Sequence, residues 1–163
     1  MTLVCIDSGI FLCLAFKDPG YRFCGKLLDD VFTGKIRAVI SSIQISELYT
    51  PFKRAGDLEG LNRMKNELFK LGLKIRDVDQ EISELSSEYR AKIKTPEGKW
   101  LPLADSIILA TAKVEKANIL YTIDIDFLNV KDIKIMAPEM SLPEWIRKFG
   151  TNRQKKILRS IID

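Results

Sequence analysis

The sequence contains no histidine. That absence removes the commonest general base, the commonest zinc ligand and the central member of any Ser-His-Asp or Cys-His arrangement, so chemistry in this chain falls to other side chains. Cysteine is scarce too. Cys5, Cys13 and Cys24 are odd in number, lie in apolar surroundings and lack Cys-x-x-Cys spacing, which predicts buried free thiols. No apolar run approaches the ~18 residues of a membrane span, and Ile10 to Phe16 lacks a charged leader and a small-residue cleavage site. A cytoplasmic location with no membrane contact is expected. Also missing are a Gly-rich phosphate loop, the Asp-x-Asp opening of an aspartyl-phosphate enzyme, internal repeats and low-complexity linkers.

What is present fits one globular unit. The 163 residues are 46% hydrophobic and 29% charged, enough for a single sizeable core with a soluble surface. The net charge of +4 is compatible with a polyanionic partner without demanding one.

Along the chain, Leu3-Val4-Cys5-Ile6 is a short apolar run ended by Asp7-Ser8-Gly9, the pattern of a buried parallel strand turning into a helix. Phe23, Leu27, Leu28, Val31 and Phe32 recur at helical spacing before Gly34. Arg37 to Ile40 reads as a second strand, and Ser41 or Ser42 as the cap of a helix that Pro51 should disturb. Further helices are expected over Asp57 to Leu71, Glu81 to Lys92 and Leu103 to Ala117. Short strands are expected over Leu73 to Val78, Ile119 to Thr122 and Ile133 to Met136, and a loop over Thr95 to Lys99. This alternation predicts a three-layer α/β/α domain around a central parallel sheet.

In such sheets ligands bind beyond the carboxyl ends of the strands. Asp7 follows the first strand directly, and Asp124 and Asp126 follow the strand ending near Thr122. Glu47 and Asp105 sit among apolar helical neighbours instead. Each acid also has a plain structural reading: Asp105 as a helix N-cap, Asp124 as a turn residue and Glu47 as a solvated helix charge. Taken together they point elsewhere, because clustered buried carboxylates repel one another and a divalent cation removes that cost. Hard oxygen donors of this kind suit Mg²⁺ or Mn²⁺.

Four segments then resemble the PIN-domain family, including its VapC-type toxins, from residue 3 to about residue 138. Val4-Cys-Ile-Asp-Ser-Gly-Ile-Phe-Leu12 is similar to the opening strand with its first acid, and Ile45-Ser-Glu-Leu48 to the second-acid helix. Leu103-Ala-Asp-Ser-Ile-Ile-Leu-Ala-Thr-Ala112 resembles the third-acid helix, and Ile119-Leu-Tyr-Thr-Ile-Asp-Ile-Asp-Phe127 the fourth-acid turn. The resemblance implies a metal-dependent ribonuclease. Asp7, Glu47, Asp105 and Asp124 would be its catalytic, metal-binding carboxylates, Asp126 an additional metal-binding acid, and Ser8 and Thr122 supporting hydroxyls. It implies Mg²⁺ or Mn²⁺, an RNA substrate, a possible antitoxin and a homodimer. The competing reading is a catalytically silent PIN-like module that binds RNA or protein.

Residues 1–140 are read as the nuclease unit and 141–163 as a basic helical extension of the same domain. After residue 144, Arg147, Lys148, Arg153, Lys155, Lys156 and Arg159 face one acid, Asp163. Ile157, Leu158, Ile161 and Ile162 would give that helix an apolar stripe, leaving Arg153, Lys155, Lys156 and Arg159 either solvated or placed to contact RNA phosphates.

Overall fold

The computed structural model describes residues 2–162. Five strands, β1 (Leu3–Ile6), β2 (Arg37–Ser41), β3 (Lys74–Arg76), β4 (Ile119–Tyr121) and β5 (Lys134–Met136), form one parallel sheet in the order β3-β2-β1-β4-β5. The chain builds outward from β1 through β2 to β3, then crosses back to lay β4 on the other side of β1. Because neighbouring crossovers leave in opposite directions there, a crevice opens at the carboxyl ends of β1 and β4.

Eight α-helices cover the sheet: α1 (Ser8–Phe16), α2 (Tyr21–Phe32), α3 (Ile43–Arg54), α4 (Leu58–Lys70), α5 (Gln80–Lys92), α6 (Leu103–Val114), α7 (Leu142–Phe149) and α8 (Asn152–Ile162). The two-residue period of the strands divides the core. Val4, Ile6, Ala38 and Ile40 face α1 to α4, whereas Cys5, Val39 and Leu120 face α5 and α6. These are the three layers expected. Helix α7 straddles the edge, with Trp145 in the first core and Leu142 and Ile146 in the second. Gly20, at φ +87°, is required beneath it, since a Cβ there would fall on the Trp145 indole. The three cysteines are free and buried, as predicted.

Several boundaries differ from the sequence reading. Helix α3 runs straight through Pro51 to Arg54, although proline has no N–H for the Glu47 carbonyl. Packing overrides the local penalty: Phe52 is buried and stacks on Phe16 at a centroid distance of 5.4 Å. Strand β3 keeps only the centre of the predicted Leu73 to Val78 run, and α6 ends at Val114 instead of Ala117. Only part of the α8 stripe docks: Leu158 is buried, whereas Ile161 and Ile162 are exposed.

Candidate functional site

The crevice is built from the ends of β1 and β4. The Asp7 amide donates to Tyr121 O at 2.9 Å, prolonging the β1–β4 pairing to the residue that caps α1. One carboxylate oxygen, Asp7 Oδ1, accepts from the Ser8 amide at 2.8 Å, and the other, Oδ2, from the Thr122 hydroxyl at 2.7 Å. Thr122 Oγ1 in turn accepts from the Asp124 amide at 3.0 Å. One hydroxyl thus ties the acid after β1 to the turn after β4. That turn is a single 3₁₀ turn, Ile125–Phe127, capped by Asp124 Oδ1 accepting from the Asp126 amide at 2.9 Å. Asp124 is therefore a turn residue and a crevice acid at once.

On the other side, Ser8 Oγ donates to Glu47 Oε1 at 2.8 Å, so half-buried Glu47 is held instead of being freely solvated. Asp105 is not the N-cap of its helix. Pro102 occupies that position, and Asp105 lies in the first turn of α6, buried. Carboxylate oxygens of Asp105, Asp124 and Asp126 lie within 4.8 Å of one another. Asp126, read from the sequence as an additional acid, thus belongs to the tightest group, while Asp7 and Glu47 stand beside it and act through their charge.

Burial and mutual repulsion hold these acids toward their neutral forms. Asp105 is pushed up to about 8, first by burial and then by Asp124, Asp7, Asp126 and Glu47. Asp7 rises to about 7 through burial, opposed by the Thr122 hydrogen bond and reinforced by the charges of Asp124 and Glu47. Asp124 is raised by burial against the Asp126 amide, and Asp126 by burial and then Asp124. Among the described residues no lysine or arginine forms an ion pair with any of the five. Three converging hard oxygen donors without a protein cation fit a divalent ion such as Mg²⁺ or Mn²⁺.

Gln44 escaped the sequence reading. Fully buried, it donates to Ile6 O at 2.7 Å and to Ser8 Oγ at 3.2 Å, and accepts from the Ser41 amide at 2.9 Å. It pins Ser8 to the ends of two strands. The available signal was a lone amide between Ile43 and Ile45 immediately after a strand. The cations of α8 lie apart from the acids in role: Arg153 donates to Glu97 at 2.9 Å, Lys155 and Arg159 line a cavity of about 340 Å³ with Arg147 and Leu158, and Lys156 is exposed.

Among solved structures, a toxin–antitoxin complex from Klebsiella pneumoniae is similar at 24% identity and a TM-score of 0.60, covering 86% of this chain and 99% of that one. VapBC2 from Rickettsia felis, bound to a DNA fragment from its promoter, is similar at 20% identity and a TM-score of 0.64, covering 83% and 98%. Mycobacterium tuberculosis VapC20, described as a toxin that cleaves the sarcin-ricin loop, is similar at 14% identity and a TM-score of 0.61, covering 77% and 92%. At such identities the likeness speaks for the fold. No curated protein sequence matches this one. The family model for the PIN domain matches residues 4–133, a span that runs from β1 through α1 to α6 to β4 and holds every acid of the crevice, and the chain belongs to the PIN-domain family.

Proposed function

We propose that this chain is a divalent-metal-dependent ribonuclease and the toxin of a toxin–antitoxin pair. The observation that carries the reading is the gathering of five carboxylates at the switch point of the sheet with no protein cation paired to them. Asp105, Asp124 and Asp126 would hold Mg²⁺ or Mn²⁺, with Asp7 and Glu47 completing the negative field around it. A bound ion of this class offsets the charge of a phosphodiester and acidifies water for in-line attack at phosphorus. The chain's own residues set the geometry. Thr122 fixes the Asp7 carboxylate, Ser8 fixes Glu47, and Gln44 fixes Ser8, so these three are positioning residues.

RNA as substrate is supported by family membership and by the description of VapC20. The cations of α8 extend the reading, with Arg153, Lys155, Lys156 and Arg159 adding sequence-independent affinity for phosphates. An antitoxin partner is supported by neighbours that are themselves toxin–antitoxin complexes. A homodimer is supported by exposed Leu58 and Phe69 on α4. The setting is the cytoplasm, and no described helix is long and apolar enough to cross a membrane. Residues 1–140 are assigned to the nuclease unit, and within 141–163 the helices α7 and α8 bury Trp145, Ile146 and Leu158 against it.

The test is single-turnover cleavage of a mixed RNA pool by purified protein with Mg²⁺, with Mn²⁺ and with chelator. Cleavage with either ion and none with chelator is expected. Equal cleavage by wild type and Asp105→Asn would identify the nuclease as a contaminant and leave only the binding-module reading.

A further inference from the structure

Between α5 and α6 the chain forms a hairpin that the acidic site does not use. Lys94 and Trp100 pair as an antiparallel bridge, and the turn between them is closed by Thr95 N donating to Lys99 O at 2.7 Å and Gly98 N to Thr95 O at 2.9 Å. Its base is fixed by buried Thr95 and Leu101 and by Asn129 Nδ2 donating to Lys94 O at 2.9 Å. Asn129 follows the 3₁₀ turn that carries Asp126, so the hairpin is fastened to the acidic turn. On this ordered base Trp100 leaves 54% of its surface in water, whereas the other tryptophan, Trp145, leaves 3%. Lys94 Nζ stands 4.5 Å from the centre of the Trp100 ring.

The hairpin also reaches the acids electrostatically. Glu97 and Lys99 both stand close enough to Asp126 for their charges to act on it. Glu97 in turn holds Arg153, the first cation of α8. An exposed indole with a lysine at its face is therefore carried on a hairpin tied to the acidic turn through Asn129 and to α8 through Glu97.

We propose that Trp100 is a stacking platform for an unpaired RNA base on the ring face away from Lys94, with Lys94 and Lys99 for the flanking phosphates, so that the strand is led to the acids of the crevice. The inference rests on the ribonuclease reading and adds to it a base-binding surface outside the acids. Proteins that grip single strands combine an aromatic face for a base with cations for the backbone, and a duplex hides the base faces that such a platform needs. Stacking accepts every base, so Trp100 contributes affinity and strand selectivity without sequence preference.

The chain has two tryptophans, so Trp145→Phe makes Trp100 the sole indole reporter. In chelator, titration of this variant with a short single-stranded uridine oligonucleotide should quench its fluorescence, and a duplex of equal length should not. In the otherwise native chain Trp100→Ala should weaken binding of the labelled oligonucleotide about 5- to 150-fold, the range measured for loss of one stacked base. Trp100→Phe, which keeps an aromatic face and controls for folding by its melting temperature, should stay within about threefold of wild type. With Mg²⁺, Trp100→Ala should raise KM and spare kcat. Unchanged affinity in Trp100→Ala, in a protein that still cleaves RNA, overturns this inference and leaves the ribonuclease reading standing. RNA affinity retained by Trp100→Ala with loss of a protein partner overturns it as well, making the surface a protein-docking site. Absence of metal-dependent cleavage by wild type removes the ground of both.

Discussion

Helix α6 carries a sheltered carboxylate at each end, and the two ends treat it in opposite ways. At the C-terminal end Glu115, its side chain 9% exposed, accepts from Lys74 Nζ at 2.6 Å and lies 3.5 Å from Arg76 Nε. At the N-terminal end Asp105 faces four other acids and no paired cation. The helix dipole favours the negative charge at the N-terminal end and opposes it at the other. Yet Asp105 is the carboxyl held up to about 8. The dipole is worth about 0.3–1 kcal/mol, less than the ~1.4 kcal/mol of a single pH unit, so burial and the neighbouring acids win. The fold evidently can supply cations to a sheltered acid. At Glu115 it does so from β3, and at the crevice no described lysine or arginine is paired with the acids.

The largest way to sharpen this contrast is by activity. Asp105→Asn, Asp124→Asn and Asp7→Asn should each lower single-turnover RNA cleavage by at least about 10²-fold, with Glu47→Gln in the same set, whereas Glu115→Gln should leave it within about twofold. Stability should reverse that order. Glu115→Gln takes the carboxylate from exposed Lys74 and from Arg76, which keeps Asp79 at 2.6 Å, and should destabilise the protein by about 1 kcal/mol in urea unfolding, while Asp105→Asn should hold or raise the metal-free stability. A fall in metal-free stability for Asp105→Asn matching that of Glu115→Gln would erase the distinction between the two ends.

Metal should act at one end only. Mg²⁺ at about a hundredfold over its dissociation constant should stabilise wild type by about 2.7 kcal/mol in thermal melts and leave Asp105→Asn nearly unmoved. Protons should be released on binding, measurable as a buffer-dependent heat, because the ion would be held by Asp105, whose carboxyl is held near 8, and its charge would act on neighbouring Asp7, held near 7.

Without metal, pH should give a gentler version of the same result. Asp7 and Asp105 are raised from 3.8 to about 7 and about 8, so the folded chain binds these protons more tightly than the unfolded chain. Their contribution to stability is full below about pH 4 and is lost as pH rises through 7 and 8. Metal-free protein should melt higher at pH 6 than at pH 8.5, and Asp105→Asn should flatten that slope. The smallest expected effect belongs to α8: replacing Arg153, Lys155, Lys156 and Arg159 with Gln should reduce the salt dependence of RNA binding while cleavage at saturating RNA persists. An unchanged slope would mark the helix as structural.

Much of this arrangement was readable from residues alone. Strands at Leu3, Arg37, Ile119 and Ile133 were visible as apolar runs closed by polar turns, and the observed sheet contains all of them. The acids after β1 and β4 were visible for the same reason, because strand ends are where a sheet exposes polar groups. Three things were not. Gln44 carries no periodic signal, and its role exists only because β1 and β2 are neighbours. The closeness of Asp126 to Asp105 depends on how a 3₁₀ turn aims its side chains, which spacing does not encode. The Glu115 pairing joins residues from α6 and β3, on opposite sides of a crossover that no local pattern describes.

The strand order also sets a timetable. Asp7 is made well before Thr122, whose hydroxyl completes its carboxylate's hydrogen bonds, and β1 receives β4 through pairings such as Ile6 with Tyr121. Synthesis runs from the N-terminus, so a nascent chain holds β1, β2 and β3 with one side of β1 still unpaired. The crevice has no second wall until β4 and the turn after it arrive. A nascent chain that has passed Asp105 but not yet reached Ile119 carries Asp7, Glu47 and Asp105 without the turn that gathers them, and the site cannot assemble until Asp124 and Asp126 have been made.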